Sequence, residues 1–487
     1  MATSHKRCKR HFSFKGKCLK SLGLYLGLAL CVIIATVFVY GLYEKDLGVP
    51  LLYQGDALGA LIEAQNTLMG NSTYHYPNLS APYGGIQYTG MRSYFLHLLI
   101  LKLLVFFTQN ASLAINLFFI LTFVLAAWTT MFVLKKLGIS TFFAISGAMI
   151  YAFMPYHLFR GTGHLWLAAY YIVPLMAYVI ILLLTDEMEL GRIQNVKFAG
   201  MKELFHNKSF LLACGVCLGM GLSDLYYSAF SCMLLLCVGI CASCKYRKKR
   251  YLLVSVLFIS LIGMGAVIAI SPTLLYGMQN RLPSYFAGRN AAGVDVFGLR
   301  ISQLLVPIAG HRISLLNDVF ALYKQSFHII GENYMASLGA VMSIGFCLSL
   351  FGVFVPQTVE KINSKVTQLG LCNLFLILVA SIGGLSSFIA IFISASIRCY
   401  NRVSVFIGIF SLISLLLFIQ HYFEKIYHRK RKKSYVGAMI LTFLITVLAI
   451  LDQTPSAIKD YAVFNPEQNC FEGAYTAQET KIGRAHV

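Results

Sequence analysis

The residues of this chain that could do chemistry stand in a few short clusters, each at the end of an apolar run. The first is QGDALGALIEAQ, where Asp56 follows Gly55 at the start of a predicted short helix and Glu63 stands two turns further on. A carboxylate at a membrane surface, partly desolvated by lipid and aromatic rings, can have a raised pKa and serve as a general base. The same Asp56 could equally cap its helix, and spacing leaves both roles open. The segment YAFMPYHLFRGTGHLWLAAYY places His157, Arg160 and His164 in a turn broken by Pro155, Gly161 and Gly163. Titratable groups at that depth are expensive and tend to be functional, although an Arg at a membrane rim also snorkels to phospholipid. Two His flanking one Arg point to an anion or substrate site. Metal binding by the two His lacks a carboxylate at ligand spacing.

Further along, Asp224 interrupts the apolar hairpin GLSDLYYSAF with no Lys or Arg nearby in sequence, and a turn-forming Asp is the plainer reading. The stretches FGLRISQLLVPIAGHRISLL and IIGENYMASLG supply Arg300, His311, Arg312, Glu332 and Asn333. SASIRCYNRVSVF adds Arg398, Asn401 and Arg402. The planar Arg fork suits a phosphate better than a Lys point charge does, with solvated loop charge as the plain alternative for each residue. No phosphate-binding glycine loop, dinucleotide fingerprint, HExxH or GxSxG pattern occurs in a supporting context, so nucleotide-driven pumping and soluble-hydrolase chemistry are unsupported.

The elements that must position these clusters are membrane helices. Of 487 residues, 58% are hydrophobic and 12% charged, and mean hydropathy is +0.71. Such a chain belongs mostly in lipid. Apolar stretches of roughly 18 or more residues recur, each long enough to cross a hydrocarbon core about 30 Å thick, and the alternation of a barrel is missing. The net charge of +21 does not indicate nucleic acid, because Lys and Arg cluster between apolar runs, which is an orientation signal. Most of the 13 cysteines lie in or beside apolar runs as small apolar side chains. The CxxC spacings at Cys214/Cys217 and Cys241/Cys244 lack the partners of a zinc site.

The basic tail 1–20 precedes an apolar run too long for a signal peptide and without an obvious cleavage site, so it reads as a signal anchor. With the tail inside, the loop 44–93 lies outside. The run 94–107 is short and carries His97 and Lys102, which predicts an interfacial or re-entrant helix. Ten further spans, about 113–134, 141–157, 165–185, 209–223, 226–244, 251–270, 335–356, 368–391, 403–423 and 434–451, bring the expected count to eleven. Every basic cluster between spans then faces one side and every chemical cluster the other. Arg398 and Arg402 at an outer span end run against that trend, which points to an anionic partner. The transmembrane domain is expected over 21–451, with outer loops 44–93 and 271–334. Residues 452–480 read as the start of a truncated outer soluble domain. Residues 481–487, KIGRAHV, match a translated sequencing-adapter oligonucleotide and read as an artefact.

The order of GD in the first outer loop, YAFMPYHLFRGTGHLWLAAYY, SQLLVPIAGHR, GENYMASLG and SIRCYNRVSVF resembles bacterial polytopic membrane proteins related to the type C glycosyltransferases, from about Tyr53 to Asp452. The resemblance implies an all-α integral membrane protein and a hexosyltransferase-type enzyme using a polyprenyl-phosphate-linked sugar. Its base would be Asp56; the family's acidic motif is often a pair of nearby carboxylates, and here the second, Glu63, is more distant. It also implies a soluble outer domain after the last span. In the implied mechanism Asp56 deprotonates an acceptor hydroxyl while Arg side chains hold the lipid phosphate leaving group, inverting the anomeric centre. Substrate contacts are expected from Glu63, His157, Arg160, His164, Asp224, His311, Arg312, Glu332, Asn333, Arg398, Asn401 and Arg402. His157, Arg160 and His164 should share one cavity with Arg398 and Arg402. The acceptor would be a cell-envelope glycan, lipid or protein, and membrane lipid a further partner. No cofactor is assigned, a divalent metal being a candidate. The expected location is the bacterial inner membrane with the N-terminus cytoplasmic. A transporter or flippase for lipid-linked saccharides is the competing reading, which mid-membrane polar residues and an internal repeat would favour. An assembly scaffold ranks third.

Overall fold

The computed structural model describes residues 2–79, 82–86, 88, 93–190, 206–280, 289–327, 332–430, 433–456 and 458. The stretch expected to open an outer domain lies outside these residues beyond 458, as does 481–487. Among the described residues, nine helices are long and apolar enough to cross a membrane: Leu19–Tyr40, Ala111–Lys136, Thr141–Arg160, Thr162–Thr185, Leu225–Tyr246, Arg250–Gln279, Ile362–Ala380, Tyr400–Ile426 and Val436–Gln453. Phe95–Thr108, Lys208–Gly221 and Gly339–Phe354 are shorter apolar helices. The chain is thus an all-α polytopic membrane protein, with β structure among the described residues confined to the hairpin His75–Tyr76 with Gly85–Ile86 and a bridge between Leu299 and Ser381.

Two of the expected eleven spans are these short helices. Lys208–Gly221 and Gly339–Phe354 hold 14 and 16 residues, reaching about 21 and 24 Å at ~1.5 Å per residue. Polar or bent backbone cuts them short. The Asn207 side chain accepts from Ser209 and Phe210 N–H at the start of the first, and Val355–Pro356 ends the second. Two other boundaries move. The Arg250–Gln279 helix runs through Pro272 instead of stopping at 270, since a proline removes one ladder bond without ending a helix that neighbours support. The expected span 368–391 is divided, its helix ending at Ala380 and a second one running over Leu385–Phe392. At the break, Leu299 N–H donates to Ala380 O (2.7 Å) and Ile382 N–H to Leu299 O (3.2 Å), so a loop strand satisfies the freed groups.

Burial ranks the helices. In the apolar stretches of Thr162–Thr185 and Thr141–Arg160, 94% and 89% of the residues are buried, against 17% for Leu19–Tyr40 and 11% for Val436–Gln453, which places the former at the centre and the latter at the rim. Close crossings use glycine. A Cβ on Gly221 would lie 2.1 Å from Ile262 O, so Lys208–Gly221 and Arg250–Gln279 meet backbone to backbone.

Described residues of three basic loops meet at one end of the bundle. Lys365 pairs with Glu187 at 3.0 Å, Tyr246 and Lys245 donate to Leu184 O, and Arg250 donates to Leu190 O at 2.7 Å. The chemical clusters occupy the opposite end.

Candidate active site

The site begins with a broken span. Pro155 forces Met154 into an extended conformation (φ −53°, ψ 140°) and opens the short helix Pro155–Arg160. Gly161, at φ +47°, turns the chain again, a conformation that glycine adopts without strain. Arg160 ends that helix with its side chain wholly buried. His164 follows the turn and is partly exposed.

Glu332 gathers the cations. Its Oε2 accepts from Arg160 Nη2 at 2.5 Å and from Arg402 Nη2 at 3.4 Å, and its Oε1 lies 3.8 Å from His164 Nε2. Burial alone would raise the Glu332 pKa, but the Arg160 hydrogen bond and the charges of Arg160, Arg402 and His164 outweigh it and bring it down to about 2. Asn333 fixes this position: its Nδ2 donates to Gly298 O (2.8 Å) and its Oδ1 accepts from Arg300 N–H (3.0 Å), splicing two loop segments together.

Arg402 lies 4.3 Å from the Tyr226 ring centre and Arg398 5.0 Å from that of Phe297, which holds both guanidinium planes against aromatic faces. Asp224 sets the first of these rings. Its Oδ1 accepts from Tyr226 and Tyr227 N–H (2.8 and 3.1 Å), so it caps the Leu225–Tyr246 helix, in line with the turn reading. Burial pushes the Asp224 carboxyl up, and these N–H groups and Arg402 oppose the shift.

Asp56 completes the arrangement. The capping position of its helix belongs to Gly55, and Asp56 occupies the first turn. Its side chain is 76% exposed, so the desolvation expected from the sequence is not supplied by the protein, and its Oδ2 stands 3.1 Å from His164 Nδ1. Asp56, His164, Glu332, Arg398 and Arg402 line one cavity of about 300 Å³ with Trp166, Phe297 and Cys399. A second cavity of about 170 Å³ lies beside it, lined by Arg160 and sharing Gly163 and His164.

The remaining candidates stand elsewhere. His157 sits in the helical core, stacked on Phe123 at 3.7 Å and within 2.9 Å of Thr122 Oγ1 and Ala152 O; it lines neither cavity, because it precedes the Gly161 turn and faces the centre of the bundle. His311 and Arg312 meet the end of the last span, at Asp452 Oδ1 (3.2 Å) and Pro455 O (3.4 Å). Buried Glu63 accepts from the Tyr76 hydroxyl at 3.1 Å and ties the Asp56 helix to the hairpin. Asn401 is buried beside Arg402, its N–H donating to Phe297 O at 3.0 Å. Sequence reasoning missed Trp166, Tyr226 and Phe297. Trp166 had a signal, standing two residues after His164 in the same motif. Among the described residues no group of three His, Cys, Asp or Glu side chains could hold a metal ion.

The fold and site define a polytopic membrane protein with two acidic residues and a pair of aromatic-backed arginines in one cavity at one end of its bundle. No family model matches the chain, and no curated protein matches it. Among solved structures, it is similar to the archaeal oligosaccharyltransferase AglB from Archaeoglobus fulgidus in complex with an inhibitory peptide and a dolichol-phosphate, at 12% identity and a TM-score of 0.44, over 89% of this chain and 56% of that one. It is also similar to the apo form of the Archaeoglobus fulgidus oligosaccharyltransferase, at 13% identity and a TM-score of 0.44, over 90% and 56%. The chain therefore spans little more than half the length of these proteins. Both have the type C glycosyltransferase fold.

Proposed function

We propose that the protein is a membrane glycosyltransferase that moves a sugar from a polyprenyl-phosphate-linked donor to an acceptor hydroxyl. The observation that carries this reading is the meeting of Asp56 with Arg398 and Arg402 in one cavity of about 300 Å³. Sugar transfer needs a base for the acceptor and a cationic clamp for the departing phosphate within reach of one reacting carbon.

In this mechanism Asp56 takes the proton of the acceptor hydroxyl as its oxygen bonds to the anomeric carbon. The carbon–oxygen bond to the phosphate breaks, its electron pair leaves with the lipid phosphate, and Arg398 and Arg402 hold the charge that develops there. His164, 3.1 Å from Asp56, orients the carboxylate. Attack opposite the leaving group inverts the anomeric centre. An acceptor seated over exposed Asp56 would itself displace water from the base. The cavity opens on the outer side of a bacterial inner membrane if the N-terminus is cytoplasmic, where a lipid-linked donor replaces cytoplasmic nucleotide-sugars; the acceptor is an envelope glycan, lipid or protein.

The test is transfer of radiolabelled sugar from a polyprenyl-phosphate donor in membranes carrying the protein. Asp56→Asn should keep expression and lower turnover by about 10²-fold or more, the size of a general-base contribution. Unchanged transfer in Asp56→Asn would remove it as base. No transfer from any such donor by the unmutated protein, with lipid-linked saccharide crossing the membrane instead, would favour the flippase.

A further inference from the structure

Arg289 is a cation that neither the sequence reading nor the transfer mechanism uses. It is exposed, yet its side chain is fastened: Nη1 donates to Ser396 O at 2.5 Å and to the Tyr226 hydroxyl at 3.3 Å. Its Nε and Nη2 make no hydrogen bond among the described residues. Part of the planar fork is thus held in place, and the remaining donors are left for a ligand or water.

The anchors place this guanidinium beside the phosphate clamp. The Tyr226 ring that receives Arg289 at its hydroxyl also carries Arg402, 4.3 Å from the ring centre. Ser396 stands two residues before Arg398, which lines the larger cavity. The chain that follows Arg289 folds onto the same group: a Cβ on Gly293 would lie 3.1 Å from Arg398 Cδ, and Phe297 backs the Arg398 guanidinium. Arg289 is a wall of neither cavity, so it stands next to the larger one and not inside it.

Charge selects the ligand. Glu332 pairs with Arg160 and Arg402, whereas among the described residues no carboxylate lies within salt-bridge distance of Arg289 or Arg398. Two arginines are therefore left without a counter-charge in one place, where they repel each other until an anion arrives. A phosphodiester brings one negative charge and answers one of them. A diphosphate diester brings two, on groups joined by a single oxygen, and answers both.

We propose that Arg289 holds a second phosphate beside the one at Arg398 and Arg402, so that the site takes a diphosphate. On the glycosyl-transfer reading, on which this rests, the donor is a diphosphate-linked lipid sugar. The bond from the anomeric carbon to oxygen breaks with its electron pair leaving on the lipid diphosphate.

The test uses the whole protein in phosphatidylcholine nanodiscs at fixed ionic strength, with inorganic pyrophosphate and inorganic phosphate as probes. Each is read as the concentration giving half of its shift in thermal unfolding midpoint. Pyrophosphate should act at lower concentration than phosphate. Arg289→Gln should raise the pyrophosphate value by about tenfold or more, the size of a charge-assisted hydrogen bond, and leave the phosphate value in place. Farnesyl diphosphate and uridine diphosphate separate the two sources of such a group: the lipid should act at lower concentration than pyrophosphate, and the nucleotide should not. A pyrophosphate value unchanged in Arg289→Gln, equal losses for pyrophosphate and phosphate, or a nucleotide acting before the lipid would overturn the proposal. Binding is read without turnover. Sugar transfer from a monophosphate donor, by a protein whose pyrophosphate response ignores Arg289, would keep the function and remove the second phosphate.

Discussion

The two ends of the bundle carry charges of the same kind under opposite physical conditions. At the basic end Lys365 and Glu187 meet at 3.0 Å with side chains 25% and 36% exposed, and neighbouring cations donate to carbonyls at helix ends. Water and counter-ions reach these groups, so the charges contribute little to stability. At the other end Arg160 and Arg402 share one Glu332 oxygen, with the Arg160 side chain excluded from water. Here loops between the helices fold back over the charges, and each must find a partner inside the protein. Lysine dominates the first end and arginine the second, as expected where a planar fork must be satisfied in a confined space.

The largest expected effect falls on the buried end. Glu332→Ala leaves two arginines without their shared carboxylate and should destabilise the fold by about 3–5 kcal/mol, measured by denaturant titration in detergent. A loss no larger than that of a surface pair would erase the distinction between the ends.

Acid should sharpen the contrast. The Glu332 pKa is depressed to about 2 from an ordinary 4.5, so its contribution is present above about pH 4.5 and is lost as pH falls towards 2. The full difference is about 3 kcal/mol at roughly 1.4 kcal/mol per pKa unit. The unfolding midpoint of the unmutated protein should fall across this window, and Glu332→Gln should flatten that part of the profile. An equally steep acid loss in Glu332→Gln would assign it to other carboxylates.

The smallest effect belongs to the basic end. Glu187→Ala should change stability by less than about 1 kcal/mol, and added salt should reduce the difference further. A loss of several kcal/mol there would show that this end is as closed to water as the site.

Much of this was legible in the chain. Apolar length marked the long helices. The residue types of Asp56, Arg398 and Arg402 marked them before any of their contacts were known. Reading failed where neighbours decide. His157 and His164 look alike in one motif, yet the Gly161 turn sends the first into the core against Phe123 and the second to Asp56. His311 and Arg312 carry the right chemistry but serve the end of the last span. The divided span at Ser381 was hidden as well, because its broken backbone is completed by Leu299, far away in sequence.

The sequence by itself determined that the chain is a helical membrane protein with its chemistry grouped at one end, because hydropathy and charge act locally and sum along a segment. Tertiary structure alone decided which charged groups form a site. Arg160 and Glu332 stand 172 residues apart, and the properties of both, including the low Glu332 pKa, come from a contact that no local pattern encodes. Burial makes that contact strong, and burial belongs to the assembled bundle.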